Sequence, residues 1–132
     1  MEVLPASMDF TQTRNAISGY LQKNPQVEAI LTLGTPGAEP ALQVLEQAGK
    51  AGKTRLGTFD LSPIVLQALD QKKMEFAIDQ QQFLQGYLPV VFLNSYIKYG
   101  LLAATNSVPT GPAFITPDNA KRVIELSKKG IR

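Results

Sequence analysis

A lone carboxylate, Asp60, stands where a buried strand gives way to a tight turn and a helix, within the stretch Arg55 to Lys73. Ser62 is predicted to cap that helix, with Pro63 at its first position, where the missing N–H of proline costs nothing. Ligands of open α/β sheets bind outside the carboxyl ends of the strands, so this carboxylate is placed to accept hydrogen bonds from a ligand. The alternative is that Asp60 merely caps the turn and the helix. Asp60 is the first candidate binding residue.

A second candidate is the turn Gly34–Gly37, which follows a predicted strand and precedes a predicted helix. It fits neither the dinucleotide fingerprint nor the phosphate-loop pattern, and no lysine follows in the required place. The backbone of Gly34 and the hydroxyl of Thr35 are candidates for contacts with a small polar ligand. An ordinary tight turn is the alternative.

A third candidate is the acceptor-rich segment Asp79–Gln82 at the end of the fourth predicted strand. Side chains alternate across a strand, so only some of these residues can face a shared ligand. Asp60 and Asp79 suggest an acid and base pair, yet nothing in the sequence supplies a perturbing partner or a nucleophile. We therefore expect no catalytic residues and no enzyme.

The chain contains no histidine and no cysteine. This composition excludes disulfides, thiolate nucleophiles, histidine general bases and the usual zinc ligands. We expect no metal site and no cofactor. The absence of cysteine does not fix the compartment, but it suits an oxidising one.

The length of 132 residues suits one domain, and a hydrophobic content of 44% predicts a real core. The formal net charge is +2, and basic residues cluster only near the C-terminus. A nucleic-acid surface needs a denser basic stripe with aromatic residues, so we expect a solvated helix face and no nucleic-acid partner. These basic residues are Lys121, Arg122, Lys128, Lys129 and Arg132.

The first ten residues have no basic segment followed by an apolar one, so we expect no secretion signal in this chain. The longest apolar candidate, Leu84 to Leu102, is interrupted by Gln85, Pro89, Asn94 and Lys98. This segment therefore predicts a buried or interface helix rather than a membrane span.

Strand and helix patterns alternate along the whole chain. Right-handed crossovers between five strands predict one α/β domain over residues 1–132, with a doubly wound, mostly parallel five-stranded sheet in a three-layer αβα, flavodoxin-like arrangement. The predicted strands are Glu2–Leu4, Val27–Leu33, Leu56–Phe59, Met74–Gln80 and Ala113–Thr116. The predicted helices are Phe10–Lys23 after the cap Asp9, a helix that carries Ala41 to Ala48, Pro63–Lys72, Phe83–Leu102 and Asp118–Lys129.

Three stretches resemble one known family: NPQVEAILTLG, EPALQVLEQAGKAGK and GTFDLSPIVLQALDQKKMEFAIDQQQFLQGYLPVV. They look like the C-terminal lobe of type I periplasmic sugar-binding proteins, the ribose-binding-protein-like solute receptors of ABC transporters. The most specific pieces are the FD that ends the third strand and the IDQQ that precedes a Tyr-Leu-Pro helix. The resemblance implies a two-lobed receptor that closes on a monosaccharide. This chain supplies one lobe, with residues 1–80 and 113–132 as the lobe core.

The resemblance also implies which residues bind the sugar. The family's aspartate that accepts hydrogen bonds from sugar hydroxyls falls on Asp60, and its hinge-proximal glutamine falls on Gln80. Carboxylate and amide groups suit this task, because sugars are held by directed hydrogen bonds in sites that exclude water.

Four further positions are implied by the family, and this chain departs from the family pattern at each of them. Gly34 and Thr35 stand where the family often has a polar amide. Met8 and Asp9 stand near the place of an aromatic residue that often stacks on the sugar. The resemblance therefore leaves the identity of the sugar open.

For the full-length parent, the resemblance implies a periplasmic or other extracytoplasmic location and an ABC permease as partner. One alternative is the effector-binding domain of a sugar-responsive transcription regulator, which shares the fold and would follow a DNA-binding headpiece. A second alternative, a flavodoxin-like enzyme or response module, needs a phosphate loop or an acidic phosphorylation cluster, and neither is found.

The segment Phe83–Leu102 corresponds to the helix that packs on the other lobe in the family. Its apolar residues extend far around the helix, so it needs more cover than one surface offers. Pro89 is predicted to kink or break it. We expect a homodimer through this helix, formed by exchange about hinges at Gln80–Gln82 and Ala104–Gly111; folding back onto its own sheet is the alternative.

Overall fold

The computed structural model describes residues 1–131; Arg132, which belongs to the basic cluster of the C-terminus, lies outside them. The alternation of strand and helix confirms the predicted α/β class. The helices are α1 (Phe10–Lys23), α2 (Thr35–Gln47), α3 (Pro63–Asp70), α4 (Gln82–Tyr99) and α5 (Ala120–Lys128). The strands are β1 (Ala29–Thr32), β2 (Arg55–Phe59), β3 (Phe76–Asp79) and β4 (Ala113–Ile115).

The four strands form one sheet in the order β1-β2-β3-β4. β1, β2 and β3 are parallel, and their register places Leu31, Gly57 and Phe76 side by side. β4 is antiparallel to β3, with Phe114 opposite Ile78. The chain returns from α4 to the same carboxyl edge at which β3 ends, so the strand that follows must run in the opposite direction. The sheet is mostly parallel, as predicted.

The predicted first strand at Glu2–Leu4 is wrong, and within residues 1–131 the sheet has four strands rather than five. The phenol of Tyr20 on α1 donates a hydrogen bond of 3.0 Å to the Glu2 carboxylate. The N-terminal segment therefore lies along α1, where no strand offers it a hydrogen-bond ladder. This hydrogen bond raises the pKa of Tyr20 above its ordinary value, with smaller contributions from desolvation and from the charge of Glu2.

The helix boundaries follow from their caps. α1 has the predicted bounds, because Asp9 accepts hydrogen bonds from the backbone N–H groups of Thr11 and Gln12 at 2.8 and 3.1 Å. α5 begins at Ala120 and not at Asp118. The side chain of the residue before it, Asn119, is bonded instead to the backbone of Phe114 and Thr116. The basic residues that the sequence assigned to a solvated face, Lys121, Arg122, Lys128 and Lys129, are exposed.

One face of the sheet is covered by helices. The steps from β1 to β2 and from β2 to β3 go in the same direction, so right-handed crossovers place α2 and α3 on the same face. α1 packs against α2, and α5 packs against α3. The core of this covered face is built from fully buried side chains, among them Leu45, Leu56, Leu69, Ala77 and Ile115.

The opposite face is apolar but open. Leu31 and Phe114 on this face are 59% and 58% exposed, and Phe59, Phe76 and Ile78 are only half-buried. The second helical layer of the predicted αβα arrangement is therefore incomplete within residues 1–131. We call Leu31, Phe59, Phe76, Ile78 and Phe114 the open sheet face.

α4 stands apart from the rest of the fold. None of its eighteen residues is buried, although the helix is mostly apolar. It is continuous through Pro89, so of the predicted kink or break the break is wrong and the kink stays a prediction; the helix ends at Tyr99 rather than at Leu102. Gly100 stops it in the left-handed conformation, φ 67°, as a helix C-terminus favours.

Candidate functional site

Asp60 lies at the centre of a cluster of amide side chains at the carboxyl edge of the sheet. Its Oδ1 accepts one hydrogen bond of 2.6 Å from Gln80 Nε2 and another of 2.9 Å from Gln82 Nε2. The backbone N–H of Asp60 donates to the carbonyl of Ile78 at 2.9 Å, which extends the β2–β3 ladder to this residue. The structure thus brings Asp60 and Gln80 together.

Gln82 was not singled out as a site residue by sequence reasoning, although it lies in the acceptor-rich segment. Gln80 directly follows β3 and Gln82 begins α4, and the left-handed turn at Gln81 between them brings both side chains to Asp60. Asp79 points the other way: it is 1% exposed, and its Oδ1 accepts the backbone N–H of Gln81 at 2.7 Å. The expectation that only some of these side chains share a site agrees with this arrangement.

Two residues of the site adopt left-handed backbone conformations that few residues other than glycine occupy. Asp60 has φ 64° and Gln81 has φ 56°. Such conformations cost on the order of 1–3 kcal/mol and concentrate at functional sites. At Asp60 the conformation ends β2 and turns the chain toward α3, and at Gln81 it joins β3 to α4.

The N-terminus of α2 borders the Asp60 carboxylate. A Cβ atom placed on Gly34 would lie 3.7 Å from Asp60 Oδ2, so the carboxylate stands directly beside this backbone. The Gly34 carbonyl accepts the N–H groups of Gly37 and Ala38 and starts the helix, in which Thr35 is the first residue. A carboxylate is favoured at a helix N-terminus because the helix dipole is positive there.

A hydroxyl bridge fixes the helix that follows Asp60. Ser62 Oγ accepts the backbone N–H of Val65 at 3.2 Å and donates to Glu39 Oε1 on α2 at 2.7 Å. Ser62 is therefore the predicted cap of α3, and it also ties the starts of α2 and α3 together. The part played by Glu39 was missed, because its contact spans 23 residues of sequence.

An open depression of about 330 Å³ lies next to the amide cluster, on the side of the open sheet face. Thr110 Oγ1 and Gln85 Nε2 each donate to the Gln80 carbonyl at 3.0 Å. The first turn of α4 and the segment that returns after α4 are therefore held at the same carbonyl. Gly111 permits this close approach, because a Cβ there would lie 3.1 Å from the Asp79 carbonyl oxygen. The depression is lined by Phe59, Ile78, Gln80, Gln85, Thr110, Gly111 and Pro112.

Met8 and Asp9 precede α1. Met8 is 88% exposed. Asp9 Oδ1 caps α1, which leaves the other carboxylate oxygen with no role in the cap. The contribution of these two residues to ligand binding stays a prediction.

Within residues 1–131 there is no group of three or more histidine, cysteine, aspartate or glutamate residues placed to hold a metal ion. The helices in the same part of the chain are too short or too polar to cross a membrane.

Comparison with known proteins identifies the family to which this fold belongs. The profile of the periplasmic binding protein domain matches residues 2–101. The chain belongs to this family. A curated relative is the xylose/arabinose-binding protein XylF of Sulfolobus acidocaldarius, 26% identical over 133 aligned positions that cover 97% of this chain and 33% of the relative.

Two solved structures agree with this membership. A carbohydrate transporter from Acidothermus cellulolyticus, solved in complex with myo-inositol, is 31% identical and superposes with a TM-score of 0.79 over 94% of this chain. An ABC transporter solute-binding protein from Agrobacterium vitis, with bound D-fucose, is 19% identical with a TM-score of 0.78 over 99% of this chain, which shows the shared fold.

This periplasmic binding protein domain spans less than half of the relatives that it matches: 33% of XylF and 43% of each of the two solved structures. The resemblance to one lobe of a sugar receptor is confirmed. These relatives are described as binding proteins and transporters, which agrees with the expectation that the chain is not an enzyme.

Proposed function

We propose that this chain is the sugar-binding C-terminal lobe of a solute receptor of an ABC transporter. Asp60 accepts hydrogen bonds from sugar hydroxyls, and Gln80 and Gln82 flank it with groups that donate and accept. The observation that carries the proposal is the pair of amide hydrogen bonds on Asp60 Oδ1 at the carboxyl edge of the sheet. The named ligands of the relatives, xylose, arabinose and myo-inositol, are all polyhydroxylated rings or chains.

The chemistry of this cluster suits neutral polyols. A carboxylate that already accepts two amide hydrogen bonds exchanges one of them for a sugar hydroxyl and still keeps its charge partly satisfied. Hydrogen bonds to charged groups contribute about 1.5–3 kcal/mol each, twice the usual value or more. The backbone at Gly34 and the hydroxyl of Thr35 border the same carboxylate and offer further contacts.

The lobe alone is expected to bind a free monosaccharide weakly or not at all. Half of a closing cleft leaves the second face of the sugar in water, where solvent competes for every polar group. A second lobe, closing over Asp60, would exclude that water. We propose an extracytoplasmic location and an ABC permease partner for the receptor to which this lobe belongs.

The receptor is favoured over the effector domain of a transcription regulator, because the matched relatives are described as transporters and solute-binding proteins. We also propose that the chain forms a homodimer through the helix segment Phe83–Leu102. This segment is apolar, and none of the residues of α4 within it is buried.

The experiment is a ¹⁵N NMR titration of the chain with D-xylose, L-arabinose and myo-inositol at millimolar concentrations. Shifts confined to the backbone of Gly34 and Asp60 and the side chains of Gln80 and Gln82 are expected, and Asp60→Ala should abolish them. Asp70→Asn, at the far end of α3, serves as the matched control that leaves them in place. Shifts that survive Asp60→Ala, or that map to other surfaces, would refute this site.

A further inference from the structure

α4 has the composition of a buried helix and the exposure of a free one. Lys98 is its only charged residue, and its polar residues do not gather on one side along its length. Ile97 and Val90 are 79% and 66% exposed, and Tyr87 and Tyr96 are each 54% exposed. A helix that is apolar around its whole circumference is normally enclosed by protein.

The open sheet face is likewise apolar and exposed. Leu31, Phe76 and Phe114 present a continuous apolar surface across the sheet, and the rings of Phe76 and Phe114 contact each other at a centroid distance of 5.9 Å. Gly57 lies between Leu31 and Phe76, and the ring of Phe76 occupies the space where a Cβ of residue 57 would stand. A patch of this kind is rare on a monomer in water.

The attachment of α4 keeps it away from its own sheet. Its first turn is fixed by the left-handed Gln81 and by the hydrogen bond from Gln85 to the Gln80 carbonyl. The returning chain is fixed at the same point by Thr110. From this base the 18 residues of the helix extend about 27 Å, since each residue rises about 1.5 Å, and they leave the open sheet face uncovered.

We propose that the open sheet face receives α4 of a second copy of this chain, in a two-fold dimer where each copy gives its helix and accepts that of its partner. A single two-fold rotation then covers α4 and the open sheet face of both copies, because an isologous interface uses the same surfaces on both subunits. This inference rests on the homodimer of the proposed function and names the surface that accepts the helix.

The available area is sufficient for a stable dimer. Five aromatic residues of α4 are exposed: Phe83, Tyr87, Phe92, Tyr96 and Tyr99. Each aromatic side chain buries about 150–250 Å² when it is enclosed. With 3.6 residues per turn, Phe92, Tyr96 and Tyr99 lie on one side of the helix. These three residues from each of two reciprocal helices, together with the sheet surface that they cover, exceed the area of about 1,000 Å² that separates specific interfaces from chance contacts. Lys98, Asn94 and Ser95 lie within one turn of each other and can stay at the wet rim.

The test measures the mass of the full chain in solution by light scattering and sedimentation. The wild type is expected to be a dimer at micromolar concentration. Leu31→Glu and Phe114→Glu should raise the dissociation constant at least about tenfold, because the interface would enclose an unpaired carboxylate. Both positions are more than half exposed in the single chain, so circular dichroism should report an unchanged fold. Val3→Glu, at an 83% exposed position outside both surfaces, is the matched control and should remain dimeric.

Cross-linking identifies the contact directly, since the chain has no cysteine of its own. A copy with Leu31→Cys and a copy with Leu93→Cys, mixed and oxidised, should give a disulfide-linked dimer in high yield. A monomeric wild type would overturn both the dimer and its surface. A dimer that withstands Leu31→Glu and Phe114→Glu would overturn the surface alone. So would a chain carrying both Leu31→Cys and Leu93→Cys that forms its disulfide within one copy. The NMR titration with sugars, which tests the role of Asp60, does not depend on either result.

Discussion

The two faces of the sheet are made by alternate residues of the same strands, yet they have opposite environments. On the covered face Leu56 and Ala77 are fully buried beneath α2 and α3, while on the open sheet face Leu31 is 59% exposed. Both faces are apolar, as parallel strands are when helices cover them on both sides. The strands thus have the composition for two helical layers, and within residues 1–131 only one layer packs on them.

The largest expected effect is on the free energy of unfolding, and it is tested by truncating one leucine on each face of the sheet. Leu56→Ala should lower the free energy of unfolding by about 2–5 kcal/mol, because it leaves a cavity in the core. Leu31→Ala should change it by about 0.5 kcal/mol or less at concentrations where the chain is monomeric. Urea unfolding followed by circular dichroism measures both.

Equal losses for the two variants in the monomer would contradict the contrast between the faces. The same two variants also test the dimer when the free energy of unfolding is measured at high protein concentration. If the helix of a second copy covers Leu31, the difference between wild type and Leu31→Ala should grow as the dimer is populated, because association stabilises by mass action. The loss caused by Leu56→Ala should keep its value.

Asp60 stands at the edge where the two faces meet, and its substitution has the next largest effect. In a receptor where a second lobe is supplied, Asp60→Ala should weaken sugar binding by about 1.5–3 kcal/mol, the range for a hydrogen bond to a charged group. Isothermal calorimetry with the cognate sugar measures the loss. Asp70→Asn is again the control, and an Asp60→Ala receptor of undiminished affinity would remove Asp60 from the site.

Substitution of Ser62 tests how strongly the cap of α3 and its link to α2 stabilise the helices of the covered face. Ser62→Ala removes the cap on the Val65 N–H together with the hydrogen bond to Glu39, and should cost about 0.5–2 kcal/mol of stability. Urea unfolding measures the cost. Glu39→Gln retains an acceptor for the Ser62 hydroxyl and should cost less. A larger loss for Glu39→Gln would mean that the bridge between α2 and α3, rather than the cap, stabilises this layer.

Local features were predicted from the sequence more reliably than distant pairings. The cap Asp9 followed by helical periodicity gave the exact bounds of α1, and the Ser-Pro pair at residues 62 and 63 gave the start of α3. The direction of β4 depends on where the chain returns after α4, which no local pattern contains. Glu2–Leu4 has strand composition, but strand formation also requires a neighbouring strand.

The residues of the candidate site also fall into those that the sequence predicted and those that it did not. The position after a strand predicted Asp60 and the segment Asp79–Gln82, since the carboxyl ends of parallel strands share an edge. The family resemblance then pointed to Gln80 within that segment. Gln82 required knowledge of how the chain turns at Gln81. The contact of Thr110 with Gln80 joins residues 30 apart in the sequence, so the returning loop could not be assigned to the site from its composition.

The smallest effect concerns the N-terminal segment, which lies along α1 instead of extending the sheet. The hydrogen bond to Glu2, the largest cause, raises the pKa of Tyr20 above 10.0. A pKa that is higher in the folded chain than in the unfolded one means that the contribution to stability is complete below the unfolded value and is lost as the pH rises through the folded value. NMR titration of the Tyr20 ring should therefore give a lower pKa in Glu2→Gln, because that variant removes the charged acceptor. Lys23→Gln, at the end of the same helix, is the control. An unchanged Tyr20 pKa in Glu2→Gln would mean that residues 2–4 do not lie on α1, and would reopen their assignment as a strand at the free edge of β1.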